Sequence, residues 1–153
     1  IGMTASSYEF DEKQKANYAG GHDHEGQFKT GRNFYREGNA AFSLYATPSD
    51  YARFLIEMMK RDRSAPHSLS KEFIEAMLTP TVKATGRHDG WRGLSWAIHK
   101  TDSGIRVSHG GSNSSGFRCH CRFYPDRNTG IVIMTNSYSG EKLWKELIQI
   151  VDP

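Results

Sequence analysis

Cysteine is almost missing from this sequence: Cys119 and Cys121 are the only two in 153 residues, too few for a disulfide framework. At i and i+2 on a strand they would point the same way, poor geometry for bonding each other, so the redox compartment stays open. Long apolar runs are absent too. None approaches the roughly 20 residues that span a bilayer, and no basic segment followed by an apolar stretch opens the chain as a signal peptide would. Charge of one sign is not concentrated anywhere: 20 basic and 17 acidic residues give a net charge of +3 without a dense basic run, which argues against a nucleic-acid partner. What remains is an ordinary soluble composition, 37% hydrophobic and 24% charged, of a length that suits one domain.

Residues 5–40 are polar and interrupted by Gly20, Gly21, Gly26, Gly31 and Gly38. They read as a long excursion holding one or two short strands, a length of loop that usually covers a site or rests on partner structure. Order begins at Thr47-Pro48-Ser49-Asp50, which predicts a helix start with a hydroxyl N-cap, proline at the first position and an acid at the third. Tyr51, Phe54, Leu55, Met58 and Met59 follow at helical spacing as far as about Arg61. Ser70 caps a shorter helix carrying Phe73, Ile74, Met77 and Leu78 that ends before Pro80. Strands are expected at 94–99 and at 105–108, after an Asp102-Ser103-Gly104 turn. A further strand is expected at 117–124, where Phe117, Cys119, Cys121 and Phe123 alternate with Arg118, His120, Arg122 and Tyr124. Residues 125–130 make a hairpin connection into an apolar strand at 131–135. A closing helix over 140–151 aligns Leu143, Trp144, Leu147, Ile148 and Val151. The class is α+β: an antiparallel sheet with helices packed on it. The expected layout is a single partial domain, with the excursion over 1–46, helices over 47–80, strands over 91–138 and the C-terminal helix over 139–153.

Four segments, in order, resemble one family pattern. Ile1-Gly2-Met3-Thr4-Ala5-Ser6 is similar to an "LGM-x-x-T" segment. Ala40-Ala41 through Thr47-Pro48-Ser49-Asp50-Tyr51-Ala52-Arg53-Phe54 resembles an "aGGl-x-sTa-x-Dlarf" helix start, with Phe42-Ser43 standing where glycines are usual. Gly93-Leu94-Ser95-Trp96 resembles "GlGW". Val107-Ser108-His109-Gly110-Gly111, then Gly116-Phe117, Tyr124-Pro125-Asp126 and Ile133-Met134-Thr135-Asn136, resemble "h-x-G…Gf…dP…vvvltN". The family is that of the serine β-lactamase-like and penicillin-binding-protein-like hydrolases, which includes class C β-lactamases, D-alanyl-D-alanine carboxypeptidases and esterases.

The resemblance implies the C-terminal portion of the β-lactamase/transpeptidase-like fold. Of that family's three catalytic elements, Ser-x-x-Lys, Tyr/Ser-x-Asn and Lys/His-x-Gly, it implies only the third here, as His109-Gly110-Gly111. By that likeness His109 lines the pocket, Gly111 lets backbone approach the substrate, and the Ser112 N–H is one of two oxyanion donors; Gly110, Asn113 and Asn136 border the substrate. An N–H fixed on a developing negative charge contributes about 3–4 kcal/mol to a transition state, and a histidine there can donate to a carboxylate or relay a proton. The expected parent activity is hydrolysis of an amide or ester (a β-lactam, a D-Ala peptide or a simple ester) through an acyl-enzyme, with no cofactor and no metal. The nucleophile would lie upstream of Ile1, so this chain alone would be inactive. The substrate partner is then a small molecule or peptide. A missing N-terminal half, or a second copy, would cover an apolar edge at 130–136. Export is common in this largely bacterial family, which favours a periplasmic or secreted location. The rival readings are a non-catalytic binding or interaction module and an inactive truncated fragment.

Other patterns have simpler explanations. Ser68-Leu69-Ser70-Lys71 spells Ser-x-x-Lys, yet it falls where Ser70 is better read as an N-cap. His22-Asp23-His24-Glu25 contains His-x-His spacing with no further ligands at recognisable distance. Cys119-His120-Cys121 splits across both faces of a strand, and its cysteines read as small buried hydrophobes.

Overall fold

The computed structural model describes residues 1–30, 34–85, 90–102 and 104–151. Gly31 of the polar excursion and Ser103 of the expected 102–104 turn lie outside them. After a 3-10 turn at Glu12–Asn17 come α1 (Pro48–Met59), α2 (Lys71–Leu78), β1 (Val82–Ala84), β2 (Gly90–Arg92), β3 (Ala97–Thr101), β4 (Gly104–Ser112), β5 (Arg118–Tyr124), β6 (Thr129–Thr135) and α3 (Gly140–Val151). The strands form one sheet in the order β1-β2-β3-β4-β5-β6, a meander whose short connections require antiparallel neighbours. Among the described residues no helix is long and apolar enough to cross a membrane.

The chain divides into two compact units. The first comprises residues 1–3, 51–109 and 121–132. Its core is Leu55 and Met58 of α1, Ile74 of α2, Trp96, Ile98, Val107, Cys121 and Phe123, with Tyr51, Phe54, Met59, Met77 and Leu78 packed against it. The helical spacing in α1 and α2 therefore faces the sheet as expected, except that Phe73 stays exposed. Burying each large apolar side chain contributes about 1.5–3 kcal/mol. A nearly buried ion pair sits within this unit: Glu57 Oε1 is 3.4 Å from Arg63 Nη1. The same guanidinium donates to the Glu57, Met58 and Leu69 carbonyls. It thus satisfies carbonyls that the end of α1 leaves open.

The second unit comprises residues 4–50, 110–120 and 133–153. Its polar excursion is ordered by a small aromatic cluster rather than by sheet: Phe10 packs on Tyr18 and Phe34, and Tyr18 stacks on Tyr45 at 5.2 Å. Short bridges join Ser7 to Tyr45 and His22 to Phe28. The Thr47 cap forms, its Oγ1 accepting the Asp50 N–H at 3.2 Å. Asp50 is buried, and its Oδ2 accepts from Ala5 N–H and Ser6 Oγ, both at 2.8 Å. The Phe42-Ser43 departure from the family pattern has a local use, because buried Ser43 Oγ accepts the Asn39 N–H and lies 2.7 Å from the Tyr8 carbonyl.

Three expectations are corrected. The strand expected at 94–99 begins only at Ala97, since Ser95 adopts φ 66°. Cys119 is exposed while Cys121 is buried, so only one of the pair is a core hydrophobe. On α3 only part of the apolar face is sheltered: Ile148 is buried, whereas Leu143 and Val151 are at least half exposed.

Candidate active site

Strand β4 outruns its neighbour. The β3–β4 register ends at Ala97↔Ser108, yet β4 continues through Ser112. The four extra residues are His109, Gly110, Gly111 and Ser112, those singled out in the sequence. Backbone N–H groups alternate sides along a strand. Asn113 N–H donates to the Phe117 carbonyl, towards β5, so the Ser112 N–H points the opposite way, where β3 has ended. By the same alternation His109 and Gly111 share one face, and Gly110 and Ser112 the other.

His109 sits at the end of the first unit against the indole of Trp96, with ring centroids 6.0 Å apart and planes at 81°. The residue is exposed overall, but one side of the imidazole is shielded from water. That desolvation, with the like charge of Arg92, holds its pKa below the ordinary histidine value; both effects disfavour imidazolium. Trp96 is itself 3% exposed.

In the second unit, the turn after Ser112 is tied down by side chains. Asn113 Oδ1 accepts the Ser115 and Phe117 N–H groups. Arg118 donates to the Asn113 and Phe117 carbonyls at 3.1 and 2.7 Å, and Tyr138 Oη donates to Ser114 O. The Tyr138 ring carries Arg118 over it at 4.4 Å and Lys29 at 5.1 Å. Asn113 thus shapes the turn with its carbonyl oxygen. Asn136 Nδ2 donates to Gly20 O, and its backbone carbonyl accepts the His22 N–H. Beneath Gly111 lies the Cys119 sulfur; a Cβ on Gly111 would meet it at 2.8 Å. Although Cys119 is exposed, its sulfur is shielded under Gly111, and that desolvation pushes the thiol up against a smaller pull from the Gly111 N–H bonded to it.

Gly116 closes the turn at φ +97°, where a Cβ would stand 2.5 Å from the His22 carbonyl oxygen. Gly116→Ala is expected to cost about 1–3 kcal/mol from backbone conformation alone, with a further loss from the clash. Urea midpoints for the two proteins would show it, and equal midpoints would refute it.

The remaining candidates resolve into structural parts. Ser70 Oγ accepts the Phe73 N–H as the cap of α2, and Lys71 reaches Glu75 at 3.6 Å in solvent, away from a nucleophile's role for Ser68. Asp23 Oδ1 accepts the Glu25 and Gln27 N–H groups, while His24 packs on Tyr138. Sequence reasoning did not single out Arg92 or Tyr138, which belong to no local pattern, and met Arg118 only as one of the alternating residues of a strand. Trp96 appeared only within a strand match.

A meander sheet with helices packed on it and a closing C-terminal helix is the architecture of the C-terminal part of the β-lactamase/transpeptidase-like fold. The chain belongs to the beta-lactamase family: that family's model matches residues 1–151. Among solved structures it is similar to a beta-lactamase/D-alanine carboxypeptidase from Pseudomonas syringae, with TM-score 0.73 and 15% identity over 99% of this chain and 50% of that one. A D-alanine carboxypeptidase AmpC from Burkholderia cenocepacia matches with TM-score 0.70 and 19% identity over 89% and 46%. SurE matches with TM-score 0.64 and 29% identity over 86% and 31%. The chain therefore spans half or less of the length of these structures. No curated protein matches it significantly.

Proposed function

We propose that this chain supplies the oxyanion and proton-relay side of a serine hydrolase site, acting on an amide or ester by an acyl-enzyme route. The observation that carries the reading is the free end of β4: the Ser112 N–H is aimed off the sheet where β3 has stopped, and His109 stands on the same four-residue segment. A carbonyl oxygen settling on that N–H would gain stabilisation as it becomes an oxyanion. His109 would pass the proton taken from the attacking hydroxyl to the departing amine or alkoxide. Gly110, Gly111 and Asn113 would border the substrate with backbone and turn, and Asn136, held by Gly20 and His22, is the further substrate contact that the family likeness suggests. The acyl-accepting serine and its lysine are not among these residues in a usable arrangement, so the complete site needs them from outside this chain. A D-amino-acid peptide is the favoured substrate class, given that the relatives include D-alanine carboxypeptidases and a SurE structure with D-Leu. A periplasmic or secreted setting fits such a substrate.

The test is covalent labelling. The purified chain is treated with a fluorophosphonate and its intact mass read. No adduct is expected, since Ser68 lacks a lysine partner. A single adduct lost in Ser68→Ala would overturn the assignment of Ser68 and Ser70 to helix capping and move the nucleophile into this chain.

A further inference from the structure

We propose that Trp96 is a positioning residue that fixes the His109 ring, with Arg92 carried on the same β2–β3 hairpin, so that β4 offers its site a proton relay and not a permanent cation. The inference rests on the placing of His109 in the site above.

Trp96 can do this because it cannot move. It is 3% exposed, its ring is stacked with Phe54 at 6.3 Å and 20°, and it meets Phe123 edge-to-face at 5.2 Å and 84°. Both contacts belong to the core of the first unit. The indole is therefore a rigid apolar wall for the imidazole, and an imidazolium against such a wall loses hydration without gaining a charge partner. Arg92 ends β2 and is paired in register with Ala97, one residue past Trp96, so wall and cation arrive on one β2–β3 hairpin. The partial burial of the imidazole and the like charge of Arg92 both act in the same direction, favouring neutral His109. Trp96 itself does not titrate. On its own strand Arg106 falls on the opposite face by alternation. On the next strand the Cys119 thiol is pushed up by burial and stays uncharged near neutral pH.

A neutral imidazole has one donor and one acceptor nitrogen. It can accept the proton of the attacking hydroxyl and deliver it to the departing amine or alkoxide, which a lysine ammonium at this position cannot do without first losing its own. It also offers no fixed charge to a substrate carboxylate. A substrate carboxylate, such as the C-terminus of a D-amino-acid peptide, would meet a hydrogen-bond donor at His109 near neutral pH and an ion-pair partner there only on acidification.

The test is an NMR titration of the histidine Cε1–H signals, with His109 assigned from the signal missing in His109→Gln. In the wild-type chain His109 is expected to titrate below the ordinary value of about 6.5. Arg92 is exposed, so Arg92→Met folds and is expected to move the titration upward, while Arg92→Lys, which keeps the charge, restores the low value. Trp96→Phe keeps a smaller wall and is expected to move it upward as well. Titration at or above the ordinary value in the wild type, or no response to Arg92→Met, would overturn the proposal. Stability supplies a second readout. With the folded pKa below the unfolded one, the unfolded chain binds more protons as pH falls below about 6.5. Wild-type stability is thus expected to fall on acidification through that window, and less so in Arg92→Met. These readings need no turnover, so a failed hydrolase assignment leaves them standing and a failed titration leaves the labelling result untouched.

Discussion

Arg63→Ala is expected to destabilise the first unit by about 3–5 kcal/mol, the cost of leaving a buried charge without its partner. Glu57 is 6% exposed, and its carboxylate has Arg63 Nη1 at 3.4 Å. Removing the guanidinium also strips the donor from the Glu57, Met58 and Leu69 carbonyls, which bind α1 to the segment leading into α2. An exposed pair would be worth only about 0–1 kcal/mol, so the magnitude decides between the two descriptions. Urea denaturation followed by circular dichroism measures it. A loss below about 1 kcal/mol would mean the pair is solvated. Replacing both partners, as Glu57→Leu with Arg63→Met, is expected to recover much of the loss, because no lone charge is then left inside. Recovery by the double change separates a desolvated pair from a general packing defect.

Phe123→Ala is the second large effect, expected at about 3–5 kcal/mol from lost transfer energy plus an unfilled cavity. Phe123 is fully buried in β5, edge-on to Trp96, and the Gly130 backbone packs against its Cβ so closely that a side chain there would collide. That rigid surround cannot collapse into the space, which places the cost at the upper part of the range. Phe123→Leu keeps most of the volume and is expected to cost less than half as much. Near-ultraviolet circular dichroism should report the Trp96 environment loosening in the alanine variant before global unfolding. An alanine variant within about 1 kcal/mol of wild type would show that the β5 face is less tightly packed than the ring geometry implies. Because Trp96 also walls His109, the same variant links core packing to the candidate site.

Much of the architecture was legible because its signals are local. Thr47 and Ser70 as caps, the spacing of Leu55, Met58 and Ile74, and the alternation ending in Cys121 and Phe123 each act within a few residues. All reappear in the folded chain. The family was legible because four such segments keep their order. The short strands β1 and β2 were not, since three residues carry no readable period and owe their conformation to pairing with β3. Nor was Asn113's part in the turn, which depends on Arg118 and Tyr138 arriving from other elements.

By itself, then, the sequence determined the helices and the longer strands, the α+β class and the family, and marked His109 to Ser112 as candidates, because capping, periodicity and motif spacing are properties of neighbouring positions. Tertiary structure alone decided that β4 outlasts β3 and frees the Ser112 side, that Cys119 stays at the surface, that Arg63 neutralises Glu57, and that Trp96 faces His109. Each of these depends on strand register or on contacts between residues distant in the chain, which no local pattern encodes.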